Sequence, residues 1–138
     1  MVDEEVIRLR LSRLEESLKK LSEIARTPED EYVSAWRLRD VVERNLEVAA
    51  QSCLDIGNHL ISSRGLRAPQ GYADVFRVLS DAGALGAGLA DEMGKLAGLR
   101  NILVHEYLEV DHRLVYRRIQ DLSPFRDFAA AVKEEVWG

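Results

Sequence analysis

The sequence predicts an all-α fold, a bundle of four to six helices in a single domain spanning residues 1–138. Three observations indicate this class. Apolar residues recur at spacings of three and four, no segment alternates with the two-residue period of a strand, and only three prolines occur. With 46% hydrophobic and 31% charged residues, the chain has the composition of a soluble globular protein large enough for a sizeable core.

The first two predicted helices follow from their apolar stripes and start residues. Residues 3–25 carry apolar side chains every three or four positions. Thr27 and Pro28 then mark a new start, with Thr27 as the cap and Pro28 at the first helical position. Because no firm stop follows before residues 62–65, we expect a long second helix of about 35 residues, bent at Gly57. Its expected buried stripe is Leu38, Val41, Val42, Leu46, Ala49, Cys53, Ile56 and Leu60.

Four further segments show helical periodicity after the loop at residues 65–71. Asp111 and Ser123 are the expected caps of the last two, and Gly83 ends the first of the four. The segments are 72–82, a helix that begins around Gly86–Gly88 and runs into Arg100, 111–119 and 123–136.

The charge balance restricts the classes of partner. A net charge of −5 argues against a protein that binds nucleic acid tightly through a basic surface. Residues 95–118 are a local exception, because this window holds five Lys or Arg residues and three acidic residues, a charge of +2. A local basic cleft therefore remains compatible with the composition.

The sequence also indicates a compartment. Cys53 is the one cysteine, which excludes a disulfide framework and a thiolate metal site. The first residues are acidic where a secretory signal would be basic, and no apolar run approaches the roughly 18 residues that a membrane helix needs. We therefore expect a cytoplasmic protein without a membrane segment.

The stretch from Arg100 to Tyr107 concentrates the usable chemistry of the chain. On a helical wheel Arg100 and Tyr107 share one face, and Asn101 and His105 share the neighbouring face. An imidazole can move a proton to or from a ribose hydroxyl or a leaving oxygen, and a guanidinium can hold a phosphate. Asn101 can orient the histidine or donate to phosphate, and Tyr107 can stack on a base, donate a hydrogen bond or be modified. No ligand cluster suggests a metal.

Structural roles remain open for the same residues. A single histidine at a helix end is often a cap or a surface group, Arg100 can be an ion-pair partner, and Tyr107 can be part of the core. Spacing within the motif does not separate these roles from catalysis.

The motif Arg100-x-x-x-x-His105-x-Tyr107, with Asn101 directly after the arginine, resembles that of HepT-like toxins, which belong to the HEPN superfamily of helical ribonucleases. The resemblance covers roughly residues 30 to 125. Residues 39–49 and 53–61 are similar to the long second helix of the family, and residues 72–76 and 96–101 also fit its pattern.

The resemblance implies a dimeric HEPN-like bundle that acts as a metal-independent endoribonuclease without a cofactor. It places His105 in acid–base catalysis, Arg100 on the phosphate and Asn101 in support of them. It also implies an RNA substrate and a homodimer with one shared cleft. The further partner is a nucleotidyltransferase antitoxin of the MNT type, as in type VII toxin–antitoxin systems, and in some pairs this partner adds AMP to the motif tyrosine, here Tyr107.

For several residues outside the motif, the sequence leaves two roles open. Asp40 and Glu43 can reach the cleft and orient Arg100 or His105, or they belong to a solvated face or an intersubunit ion pair. We expect His59 to be structural and His112 to be solvated at a helix start. Tyr32 and Trp36 fit either a dimer contact or local packing. The alternative function is a helical dimer without catalysis that binds a nucleotidyltransferase or a nucleotide.

Overall fold

Seven α-helices form the part of the chain that the structure, a computed structural model, describes, namely residues 2–105 and 110–138. The all-α class is confirmed, since no strand occurs in these residues. None of the described helices has the length and apolar content that would let it cross a membrane. The helices are α1 (Glu4–Ile24), α2 (Glu29–Ser34), α3 (Trp36–Arg64), α4 (Tyr72–Asp81), α5 (Ala87–His105), α6 (His112–Gln120) and α7 (Ser123–Trp137).

The predicted long second helix is split at Ala35, and this raises the number of described helices above the four to six expected. The side chain of Tyr32 is fully buried, with its ring centroid 5.4 Å from that of Tyr116 on α6. The hydroxyl of Tyr116 in turn donates to the carbonyl oxygen of Thr27. These contacts hold α2 against α6, so α2 cannot continue in line with α3. Thr27 accepts this bond through its carbonyl oxygen, and its side chain does not form the expected cap of α2.

Helix α3 is 29 residues long and continues through Gly57 without a break. It ends at Gly65, whose φ of 63° lies in the left-handed region that favours glycine at a helix end. Val41 was expected on the buried stripe of this helix but is 42% exposed, and that expectation is wrong. Val42 lies about 100° further around the helix and is fully buried, so both valines cannot face the core.

Contacts between residues distant in the sequence place α1 against α3 and α7 against α1. The amide of Asp3 donates to Nε2 of His59, so the start of α1 lies beside the end of α3. Lys133 of α7 pairs with Glu15 in the middle of α1. All seven helices contribute buried side chains to one continuous core. At its centre the rings of Phe76 and Phe128 meet edge to face at 5.5 Å.

Both predicted caps near the C-terminus can be checked. Asp111 accepts a hydrogen bond from the amide of Leu114 at 3.1 Å, which confirms it as the cap of α6. Ser123 makes no side-chain cap at the start of α7. Its backbone amide donates to the carboxylate of Asp121 at 3.0 Å. The side chain of Ser123 and this amide, in that order, lower the pKa of Asp121.

Candidate active site

Arg100 and His105 occupy the end of α5, where the buried stripe of the helix leads into polar chemistry. Leu96 and Leu99 are buried just before Arg100, which is itself half-buried. His105 is the last residue of α5 and is exposed. The two residues are five positions apart in the sequence, which places them about 7.5 Å apart along the axis and about 140° apart around it. Within one protomer they therefore lie on different sides of the same helix end.

The Arg100 guanidinium lacks a neutralising carboxylate among the described residues. Its Nη1 donates to Oδ1 of Asn101 at 3.1 Å, and its Cζ lies 5.2 Å from the ring centroid of Tyr72. Its Nε is buried without a hydrogen-bond acceptor in residues 2–105 and 110–138. A half-buried cation held by an amide and an aromatic ring keeps donors available for an anion.

His105 continues an exposed face of α5. Lys95, Gly98, Ile102 and His105 follow one another at spacings of three, four and three, and all are exposed. Ile102 stands out on this face, because 45% of its surface is open to solvent. Gly98 has no atom of another residue within 4 Å of the position where a Cβ would stand. His105 thus shares its face of α5 with the exposed apolar side chain of Ile102 and with Gly98, where the helix surface carries no side chain.

The predicted supporting residues divide into three groups. Asn101 lies beside Arg100 and bonds it, as described above. Asp40 and Glu43 on α3 make no hydrogen bond or ion pair with Arg100 or His105 in the described part of the chain. Tyr107, the predicted modification site, lies outside the described residues.

Glu43 belongs to a different polar cluster, between α2, α3 and α6. Burial raises the pKa of its carboxyl, with Asp40 adding to the rise, while His112 and Arg39 oppose it. Burial raises the pKa of the Tyr32 phenol, and the nearby charge of Glu43 raises it further. Neither the Tyr32 hydroxyl nor Nδ1 of His112 has a hydrogen-bond partner within the described residues.

For two residues near the site, His112 and Tyr72, the structure differs from the sequence-based expectation or adds to it. His112 was expected to be solvated, but it is half-buried with an inaccessible Nδ1, and that expectation is wrong. Tyr72 was placed only on its helix, and its contact with Arg100 could not be inferred because it joins two helices through their crossing. His59 accepts the hydrogen bond from the Asp3 amide at 3.0 Å, a structural role as expected.

In the described ranges no three His, Cys, Asp or Glu residues form a cluster that could hold a metal ion.

Comparison with known families and curated proteins connects this site to a group of nucleases. The family model described as Ribonuclease HepT-like matches residues 14–132. The chain is 33% identical over 106 residues to the mRNA nuclease HepT of Shewanella oneidensis, covering 76% of this chain and 80% of that protein. It is 30% identical over 116 residues to the tRNA nuclease HepT of Aphanizomenon flos-aquae, covering 83% and 78%.

Solved structures give the same result for the fold. The tri-AMPylated HEPN toxin of Shewanella oneidensis, solved in complex with its MNT antitoxin, superimposes with a TM-score of 0.87 at 27% identity, covering 97% of this chain and 99% of that chain. The cytosolic protein YutE of Bacillus subtilis, of unknown function, superimposes with a TM-score of 0.86 at 25% identity, covering 98% and 91%.

Proposed function

The chain belongs to the HepT-like ribonuclease family, and we propose that it is the ribonuclease toxin of a type VII toxin–antitoxin pair. The observation that carries this proposal is Arg100, which has no carboxylate partner among the described residues, one helical turn and a half before an exposed His105, in a chain whose family match spans residues 14–132. This pair provides a phosphate-binding cation and a proton-transfer group without any metal ligand cluster among the described residues.

The proposed reaction is a transesterification within RNA. The ribose 2′-hydroxyl attacks the adjacent phosphorus, the bond to the 5′-oxygen breaks, and the products are a 2′,3′-cyclic phosphate and a free 5′-hydroxyl. One imidazole takes the 2′-hydroxyl proton as a base, and a protonated imidazole gives a proton to the leaving 5′-oxygen. Arg100 stabilises the negative charge that grows on the phosphoryl oxygens in the transition state.

A homodimer supplies the second imidazole that this scheme needs. We place the dimer contact on the exposed face of α5 that carries Gly98, Ile102 and His105. Gly98 lets two helices approach closely, and Ile102 provides apolar surface to bury. The contact brings both copies of His105 and both +2 windows to one cleft, which also compensates locally for the acidic net charge.

Regulation by a nucleotidyltransferase fits the position of Tyr107. Similar toxins were solved in complex with an MNT antitoxin, one of them tri-AMPylated. We propose that a cognate antitoxin of this kind adds AMP to Tyr107, two residues after His105. The added phosphate places negative charge beside the cleft and repels the RNA backbone.

The test is RNA cleavage by purified protein in the presence of EDTA. Arg100→Ala and His105→Ala should each lower the rate by at least about a hundredfold, because each removes charge stabilisation or proton transfer. Arg13→Ala, which removes an exposed arginine of α1, is the matched control and should cut at the wild-type rate. Melting temperatures verify that all variants fold.

Three results would contradict parts of this proposal. No cleavage by the intact protein would favour the alternative of a binding dimer without catalysis. Cleavage that EDTA abolishes would reject the metal-independent reaction. An unchanged intact mass after co-expression with a cognate nucleotidyltransferase antitoxin would reject AMP transfer to Tyr107 and leave occlusion of the cleft by the partner.

A further inference from the structure

Among the residues that the structure describes, Tyr72 of α4 contacts the Arg100 guanidinium from another helix. The Cζ atom of Arg100 lies 5.2 Å from the ring centroid of Tyr72, within the range of a cation–π interaction. The ring is not a core side chain, because 44% of its surface is exposed. Asn101, whose side chain accepts a hydrogen bond from the guanidinium, is the next residue on the same helix and cannot fix the guanidinium relative to the rest of the bundle.

The first turn of α4, which carries this ring, is hydrogen-bonded to the loop before it. The carboxylate of Asp74 accepts hydrogen bonds from both Nη atoms of Arg67, at 2.8 and 3.2 Å, and from the amide of Gln70 at 2.9 Å. These bonds, that of Arg67 first, lower the pKa of Asp74 to about 2, so it stays ionised at neutral pH. The loop before Tyr72 is thereby tied to the helix that begins with it.

Close helix packing fixes the position of α4 against α5. A Cβ on Gly94 of α5 would stand 3.5 Å from Cβ of Ala73, the neighbour of Tyr72. Gly94 precedes Arg100 by six residues, less than two turns of the same helix. This packing keeps the backbones of Tyr72 and Arg100 on adjacent helices, within reach of the contact between the ring and the guanidinium.

We propose that Tyr72 is a positioning residue of the ribonuclease site, whose ring face holds the Arg100 guanidinium so that its N–H groups are free for the RNA phosphate. The proposal deepens the function proposed above and rests on it. An aromatic ring is suited to this role because it attracts the cation without neutralising it, whereas a carboxylate would compete with phosphate.

The first experiment measures RNA cleavage by Tyr72→Phe, Tyr72→Leu and Tyr72→Met. The phenylalanine variant keeps the ring and should retain activity within about twofold of the wild type. The two aliphatic variants lose the cation–π contact, so kcat/KM should fall by about two- to thirtyfold. Trp137→Leu is the matched control, since it removes the ring of another arginine pair, Arg8 with Trp137 at 4.9 Å, between helices that carry no proposed site residue.

The second experiment measures the binding of an RNA whose 2′-hydroxyls are methylated and cannot attack. A double-mutant cycle combines Tyr72→Leu with Arg100→Ala. If Tyr72 acts through Arg100, the double variant binds this RNA as Arg100→Ala does, within about twofold. Losses that multiply would mean that Tyr72 contacts RNA directly and would overturn the positioning role.

The outcomes separate this inference from the function on which it rests. Cleavage by the wild type together with full activity of Tyr72→Leu overturns the role of Tyr72 and leaves the ribonuclease intact. An equal loss in Tyr72→Phe also overturns it, because the ring is then not the active element. A wild type that cuts no RNA overturns both.

Discussion

Gly57 of α3 and Val75 of α4 approach so closely that a Cβ built on Gly57 would stand 2.6 Å from Cγ1 of Val75. The glycine that the sequence suggested as a bend thus makes room for a neighbouring helix. Alanine is favoured over glycine within a helix by about 1 kcal/mol, but here it would collide with a stiff β-branched side chain. We expect Gly57→Ala to lower the free energy of unfolding by about 1–3 kcal/mol, measured by urea denaturation.

The matched control is Gly88→Ala in the first turn of α5. No atom lies within 4 Å of the Cβ position there, so the same change should leave stability equal or raise it by up to about 1 kcal/mol. Equal stability of the Gly57 and Gly88 variants would contradict the packing role of Gly57.

Tyr32 buries a hydroxyl that has no hydrogen-bond partner in the described part of the chain. Tyr32→Phe keeps the ring against Tyr116 and removes the unpaired group, so it should raise the free energy of unfolding by about 1 kcal/mol. Tyr116→Phe makes the same chemical change but loses the bond to the Thr27 carbonyl, and it should lower stability by about 1 kcal/mol. Shifts of the same sign in both variants would refute this assignment.

Glu43 should make stability depend on pH in the unusual direction. Burial raises its pKa in the folded state, so the native protein binds the proton more tightly than the unfolded chain. The stability that this group contributes is complete below the unfolded pKa and is lost as pH rises through the folded pKa. Glu43→Gln should therefore be more stable than the wild type at pH 7.5, and the difference should vanish near pH 4, as followed by thermal melting.

Asp74 provides the opposite case for comparison. Its folded pKa is lowered to about 2, chiefly by Arg67, so its contribution is present above the unfolded pKa and is lost as pH falls through the folded value. Asp74→Asn should melt below the wild type at pH 6, with the difference shrinking toward pH 2. Stability changes of the same sign in the Glu43 and Asp74 variants at neutral pH would disprove the causes assigned to these shifts.

Ile102 tests the proposed dimer face. A glutamate there would have to be buried in the contact, so Ile102→Glu should shift the protein toward the monomer in sedimentation velocity and lower RNA cleavage. Leu9→Glu is the control, because Leu9 is 62% exposed on α1, away from that face. If the Leu9 variant dissociates instead, the interface lies on α1.

Much of the fold could be predicted from the chain, since helical periodicity is a local property. Phe125, Phe128 and Val132 follow one another at the helical spacings of three and four that predicted the last helix, and all three are buried. Cys53 is fully buried as well, and burial raises the pKa of its thiol. The membership of the HepT-like family, suggested by the motif around Arg100, is confirmed. The break at Ala35 was missed because it depends on the distant Tyr116.

Apart from the break at Ala35, the sequence by itself determined the helices and the presence of Arg100 and His105 at the end of one of them, because residues a few positions apart on a helix have a calculable arrangement. It could not show that Tyr72 lies against Arg100, that Glu43 faces His112, or that Gly57 receives Val75. Only the tertiary structure decided these pairs. Each joins two helices, and a helix crossing follows from the packing of whole side-chain surfaces and not from any short segment.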